Sequence, residues 1–108
     1  MKHKEMLKLM NNIHNEIIKT HTEGQKEYAR STDNVFANFE RIAKALETSR
    51  EKVLMVYLLK HIDGISAYTK GHKSQRESVH GRITDAIVYL KILWGMINDN
   101  VNKYEEVK

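Results

Sequence analysis

The chain has 108 residues, 41% hydrophobic and 30% charged, a balance that indicates one small folded domain rather than a disordered segment. It contains no cysteine, which excludes disulfides, zinc–thiolate sites and thiol catalysis and agrees with a reducing cytoplasm. Its formal net charge is +4, but 18 basic residues are scattered among 14 acidic ones. Because a nucleic-acid surface usually shows a concentrated basic stripe, we expect no nucleic-acid partner.

The N-terminal half predicts one helix over residues 3–21, with a stripe at three- and four-residue spacings formed by Met6, Met10, Ile13 and Ile17. Thr22 and Gln25 have the spacing of a capping box, which predicts a short further piece that runs to residue 30. A second helix is predicted over 34–47, capped by Asp33. Its stripe consists of Val35, Phe36, Phe39, Ile42, Ala43 and Leu46.

The C-terminal half predicts a third helix over 50–69, capped by Ser49 and stopped by Gly71. A fourth helix is predicted over 75–104, where Ser74 and Glu77 have capping-box spacing. We interpret Glu77 as a capping residue on this basis. The longest apolar run has seven residues, 53–59, and the N-terminal segment lacks an apolar signal region, so we expect neither a membrane span nor a signal peptide.

The predicted fold is an all-α, four-helix antiparallel bundle that forms a single domain over residues 1–108. Helices three and four are apolar all round, and a chain of this length cannot bury both of them fully. We therefore expect a homodimer or larger homo-oligomer that packs through helices three and four. Lys60, Asp63 and Asp85 lie on these helices and need partners if they are buried. Two interpretations remain open: Lys60 forms a salt bridge with Asp85, or these residues form a polar functional site in the core.

Four runs of the sequence carry a resemblance to a known group: 27–30 (EYAR), 38–43 (NFERIA), 60–63 (KHID) and 81–90 (GRITDAIVYL). Over residues 23–98 the chain resembles small phage and prophage proteins grouped as nucleotide-modification-associated. More distantly, it is similar to the MazG-like all-α nucleotide pyrophosphohydrolases. The resemblance implies a cytoplasmic protein of a bacterial host that binds a nucleoside triphosphate and cleaves it to the monophosphate and pyrophosphate.

The resemblance also implies a site. MazG-like enzymes hold Mg²⁺ on paired carboxylates three residues apart, and hard oxygen ligands suit that ion. Here the corresponding pairs are Lys60 with Asp63 and Arg82 with Asp85, so two acids of four are retained. Asp63 and Asp85 are then the expected catalytic metal ligands, and Lys60 and Arg82 bind phosphates. Further expected metal ligands are Glu27 and Glu40, and further nucleotide-binding residues are Asn38 and Tyr89.

Two other functions remain open from the sequence. The protein can be a nucleotide-binding module that does not cleave its ligand, or a phage adaptor that acts on a host protein. Six histidines are present, but none forms the His-x-x-x-His spacing of a helical zinc site. We therefore expect no zinc.

Overall fold

A computed structural model of the chain describes residues 1–28 and 33–107, and this part contains four helices and no strand. The helices are α1 (His3–Tyr28), α2 (Ala37–Leu46), α3 (Arg50–Thr69) and α4 (Val79–Val107). The most extensive packing is between α3 and α4, while α2 packs on α3 and α1 packs on α4. The start of α3 lies beside the end of α4, so these two helices are antiparallel. The all-α, four-helix prediction is confirmed.

The first helix is longer than predicted. α1 continues without a break through Thr22 and Gly24 as far as Tyr28. The predicted capping box is wrong because the Thr22 hydroxyl donates a hydrogen bond to the carbonyl of Ile18 at 2.8 Å, inside the same helix. The end of the predicted second piece, residues 29 and 30, lies outside the described residues.

Of the N-terminal caps predicted for α2, α3 and α4, two are wrong and one is confirmed. Before α2 it is Asn34, not Asp33, whose side chain accepts a hydrogen bond from a backbone N–H, that of Phe36. α4 begins four residues later than predicted, at Val79, and the Ser78 hydroxyl accepts from the N–H of Gly81 at 3.0 Å. Glu77 is therefore not part of a capping box. Ser49 caps α3 by accepting from the N–H of Lys52 at 3.2 Å, as predicted.

The core lies mainly between α2, α3 and α4. Leu54 on α3 and Met96 on α4 are completely buried, and Phe39, Ala43 and Val53 join them. The core is thin because α1 adds little to it: the first fourteen residues of this helix, 3–16, are all exposed. None of the described helices is both long enough and apolar enough to cross a lipid bilayer.

Arg50, at the first turn of α3, ties three helices together. Its guanidinium donates to Asp99 at 2.9 Å and to Asn100 at 2.8 Å on α4, and it lies 3.5 Å from the carboxylate of Glu40 on α2. The same group stacks over the ring of Phe36, 4.6 Å from its centroid. Its side chain is only 11% exposed, so these contacts are shielded from water.

Replacement of Arg50 by methionine should lower the free energy of unfolding by about 2 kcal/mol, because buried charge-assisted hydrogen bonds are lost while their acceptors remain. Arg50→Lys should recover only part of the loss, since an ammonium group cannot reproduce the fork of contacts. Urea unfolding at fixed protein concentration measures both. The exposed neighbour substitution Lys52→Met is the control, and an equal loss in that variant would contradict the assigned role of Arg50.

The end of α2 contains a strained residue. Glu47 has φ 54° and ψ 48°, a left-handed conformation that residues with a Cβ rarely adopt. The N–H of Glu47 donates to the carbonyl of Lys44, and the N–H of Thr48 donates to that of Ala43 at 2.9 Å. This is the Schellman arrangement, in which glycine normally occupies the left-handed position. α3 ends in the same way, with Gly71 at φ 100° as predicted.

We expect Glu47→Gly to raise the free energy of unfolding by about 1 kcal/mol, because glycine adopts the left-handed conformation without a steric penalty. Glu47→Ala separates this effect from the loss of the carboxylate, since alanine keeps the strain. A shift in the urea midpoint upward for glycine and not for alanine is the expected pattern. Equal midpoints for the two variants would show that the backbone conformation is not the cause.

Candidate functional site

A cavity of about 380 Å³ lies where the four helices meet. α1 contributes residues near its C-terminal end, α2 and the segment before it form a second side, and α3 and α4 form the rest. Glu77, in the connection between α3 and α4, reaches the same cavity. The volume is within the range of small-molecule sites, about 300–1,000 Å³. The cavity is therefore large enough for a ligand of nucleotide size.

One wall of the cavity is aromatic. The rings of Tyr57 on α3 and Tyr89 on α4 are stacked, with centroids 6.0 Å apart and planes 16° apart. Phe39 on α2 meets both rings edge-on, at 6.0 and 6.2 Å. The imidazole of His61 stacks on the ring of Tyr89, with the two ring centroids 5.8 Å apart. A planar ligand group can therefore be held against rings that are already ordered.

The opposite end of the wall is charged and is built around His61. Its side chain is only 6% exposed, with Nδ1 3.6 Å from Glu77 Oε2 and Nε2 3.6 Å from Asp85 Oδ2. These distances are too long for hydrogen bonds, and Nδ1 has no hydrogen-bond partner among the described residues. A buried polar atom without a partner costs about 1–3 kcal/mol. The arrangement is thus incomplete in the protein alone.

Two basic side chains flank Glu77. Lys60 Nζ lies 3.8 Å from Glu77 Oε1, and the lysine side chain is 63% exposed at the mouth of the cavity. Arg82 Nη1 lies 3.8 Å from Glu77 Oε2, and its Nε donates to Gln75 Oε1 at 2.8 Å. The Arg82 side chain passes directly over Gly64, where a Cβ would overlap it. The absence of a side chain at Gly64 therefore lets Arg82 lie against α3.

Asp85 is the residue of the cavity whose protonation is clearly perturbed. Burial is the largest influence and raises the pKa of its carboxyl above the ordinary value. The attraction to His61 acts in the opposite direction, the repulsion from Glu77 raises the pKa further, and Lys60 lowers it. The net result is a raised pKa. A carboxyl of this kind gives up and takes back a proton closer to neutral pH than an exposed aspartate does.

The structure brings together several of the residues that the sequence singled out. Lys60, Asp85, Asn38 and Tyr89 all line the cavity, and Arg82 lies beside it in contact with Glu77. The side-chain oxygen of Asn38 accepts a hydrogen bond from Arg41 at 2.9 Å. Of the two alternatives that the sequence left open, a salt bridge between Lys60 and Asp85 is not present; Lys60 contacts Glu77 instead. The Lys60 side chain is exposed, so the condition under which it would need a buried partner does not arise.

The other expected metal ligands lie away from the cavity. Asp63 is exposed, because two residues of α-helix turn it about 200° from His61 and so to the outer side of α3. Glu27 is exposed on α1. Glu40 accepts a hydrogen bond from Asn34 and faces Arg50. None of these three is among the described residues that line the cavity, so the structure does not place Asp63 with Asp85.

Sequence reasoning missed His61, Glu77 and Tyr57. The signal for His61 is present, since Leu54, Leu58, His61 and Ile65 recur at spacings of four, three and four, which places the histidine on the buried face of α3. Glu77 carried no such signal, because its position depends on the irregular path of the connection before α4.

Comparison with protein families, with curated proteins and with solved structures gave no match to this chain. The resemblance to MazG-like proteins therefore stays a prediction.

The raised pKa of Asp85 predicts a pH dependence of stability. The folded state holds this proton more tightly than the unfolded state does. The carboxyl's contribution to the free energy of unfolding therefore falls as the pH rises above about 4, the ordinary pKa of an aspartate. Asp85→Asn removes this dependence and should gain stability relative to the parent as pH increases towards 7. Urea unfolding at several pH values measures the difference. Asp63→Asn controls for net charge, and a relative loss in Asp85→Asn with rising pH would contradict the analysis.

Proposed function

We propose that this protein binds a nucleotide in the cavity, with the base or sugar against Tyr57 and Tyr89 and the phosphates towards Lys60. The observation that carries the proposal is that one cavity combines an ordered aromatic wall with a charged end, where the buried Nδ1 of His61 has no hydrogen-bond partner. Sites for small molecules typically combine apolar walls with a few polar groups that fix orientation. The resemblance to nucleotide pyrophosphohydrolases supports the same ligand class.

The charges of the cavity indicate that phosphates would bind there together with a cation. Lys60 and Arg82 offer two positive charges, but Glu77 and Asp85 oppose them within the same cluster. A triphosphate carries about four negative charges at neutral pH and would be repelled by two carboxylates. A divalent cation between the carboxylates and the phosphates resolves this conflict. We therefore include a cation in the proposal.

The cation fits the cluster of His61, Glu77 and Asp85. One candidate ligand atom from each of these residues lies within 4.8 Å of the other two, and His61 Nδ1, which has no hydrogen-bond partner, can offer its lone pair to a cation when it is unprotonated. One imidazole nitrogen with two carboxylate oxygens is a mixed donor set, which suits Mn²⁺ or another transition ion better than Mg²⁺. This departs from the Mg²⁺ that the resemblance implies. When bound, such an ion neutralises phosphate charge and lowers the pKa of a water molecule.

Hydrolysis of the bound nucleotide is the second candidate, and Asp85 is the observation that favours it. Asp85 lines the cavity, and the raised pKa of its carboxyl makes the carboxylate a stronger base than an exposed aspartate. Here Asp85 acts as a base and not as a metal ligand: it would accept the proton of the attacking water, while His61 and Glu77 would hold the cation and Lys60 the phosphates. In this reading the protein is a pyrophosphohydrolase, and otherwise it is a nucleotide-binding module.

The test is a panel of nucleoside mono-, di- and triphosphates, measured by equilibrium dialysis with Mn²⁺, with Mg²⁺ and with chelator. We expect saturable binding of at least one nucleotide that is stronger with Mn²⁺ than with Mg²⁺. Lys60→Ala should weaken it by about tenfold, since one charge-assisted phosphate contact is lost. Glu77→Gln should remove the metal dependence. Asp63→Asn is the matched control, because it also removes one carboxylate, but from a residue of α3 that does not line the cavity.

Gly64→Ala offers a test that removes no charge. The added Cβ displaces Arg82 from its position beside Glu77, so nucleotide affinity should fall while the net charge is unchanged. Pyrophosphate release in the same samples separates the enzyme from the binding module. The proposal is rejected if no nucleotide binds under any metal condition, or if Asp63→Asn is as damaging as Glu77→Gln.

A further inference from the structure

The protein exposes far more surface than a compact monomer of its size. Its accessible surface is 8435 Å², whereas a folded monomer of 12.6 kDa exposes about 6,200 Å². Its radius of gyration is 16.2 Å, against about 13 Å for a compact domain of this length. The excess area, about 2,200 Å², exceeds the roughly 800 Å² that each partner contributes to a standard interface.

Much of this surface is apolar and forms a stripe along α4. We call it the α4 outer stripe; its members are Ile83, Ile87, Leu90, Trp94, Ile97 and Val101. Trp94 is 71% exposed, and Leu90 and Ile97 are about half exposed, at 51% and 52%. Single exposed apolar residues are ordinary, but a continuous row of large ones marks an interaction surface. The opposite face of α4 packs into the protein's own core through Val88 and Met96.

The spacing within the α4 outer stripe is that of a coiled-coil seam. Its members follow one another at alternating intervals of four and three residues over 83–101. The positions that flank the seam are almost uncharged, with Lys91 the one ionic side chain among Thr84, Ala86, Lys91, Leu93, Asn98 and Asn100. Ala86 and Leu93 pack in the protein's own core and Asn100 bonds to Arg50. On the other flank, Thr84, Lys91 and Asn98 carry one charge, whereas a helix face exposed to solvent normally carries more.

We propose that a second copy of this chain covers the α4 outer stripe, with the two α4 helices antiparallel about a twofold axis near residue 92. The stripe is symmetric in sequence about that point. Antiparallel pairing places Leu90 opposite Trp94 of the partner subunit, Ile87 opposite Ile97 of the partner subunit, and Ile83 opposite Val101 of the partner subunit. A stripe that matches its own reverse is what an isologous interface requires.

Charge and area favour a second copy as the occupant. The chain has a net charge of +4, but the flanks of the seam are nearly neutral, so two copies can approach there with little repulsion. The proposal is independent of the nucleotide function, since the outer stripe lies on the face of α4 opposite to the core-facing Val88 and Met96.

The mass in solution and the fluorescence of Trp94 test the proposal together. Trp94 is the single tryptophan of the chain, so the emission reports its environment directly. We expect a particle of about 25 kDa, twice the 12.6 kDa chain, by sedimentation at micromolar concentration. The emission maximum should shift to longer wavelength on dilution, as Trp94 becomes exposed. A 12.6 kDa particle with concentration-independent emission overturns the proposal.

Single cysteines test the register, because the chain has none of its own. A mixture of Ile83→Cys and Val101→Cys proteins should give a covalent dimer with a short bismaleimide linker. Ile83→Cys alone should not, since the two copies of position 83 are about 27 Å apart along antiparallel helices. Efficient linkage in Ile83→Cys alone indicates parallel helices and overturns the proposed arrangement.

Trp94→Lys tests which face forms the interface. It should weaken dimerisation by at least about 30-fold, the effect of losing a central aromatic contact. Leu46→Lys is the matched control, because Leu46 is 68% exposed on α2, away from the stripe. Far-UV circular dichroism checks that both variants stay folded. Equal dimerisation of Trp94→Lys and the parent overturns the proposal, as does a monomer that becomes larger only when vesicles are added.

Discussion

The antiparallel contact between α3 and α4 is the constraint on which the rest of the protein depends. Leu54 and Met96 are completely buried in this contact, and they fix how the two helices lie against each other. That register places His61 beside Asp85 at one end and Arg50 beside Asp99 at the other. The same packing therefore creates the core, the main polar network and the candidate site.

The two polar ends of this contact differ in a way that bears on function. At the Arg50 end the guanidinium has several partners within hydrogen-bond distance, and the network is complete. At the His61 end the facing atoms are 3.6 Å apart and Nδ1 is without a partner. Completed networks hold a fold together, whereas an incomplete one beside a cavity is suited to a ligand or ion. This contrast is the physical reason for assigning the site to His61 and its neighbours.

The sequence predicted the helices well because their apolar stripes are long and regular. It placed the starts of α1 and α3 correctly but those of α2 and α4 too early, because several residues near such a start can cap a helix: Ser74 had the better motif, but Ser78 is the one that accepts the hydrogen bond. Lys60 and Asp85 were found because charges on apolar helices are conspicuous. Asp63 met the same criterion but faces outwards, since the direction of a side chain depends on which faces of α3 the neighbouring helices cover. Glu77 could not be found, as its place depends on an irregular connection.

A crystal structure with Mn²⁺ and a nucleoside triphosphate, with anomalous diffraction data, tests the central claim most directly. The account predicts an anomalous peak between His61, Glu77 and Asp85, with the phosphates on its far side and the base against Tyr57 and Tyr89. A peak elsewhere, or an empty cavity with the His61 imidazole hydrogen-bonded directly to one of the two carboxylates, would contradict it.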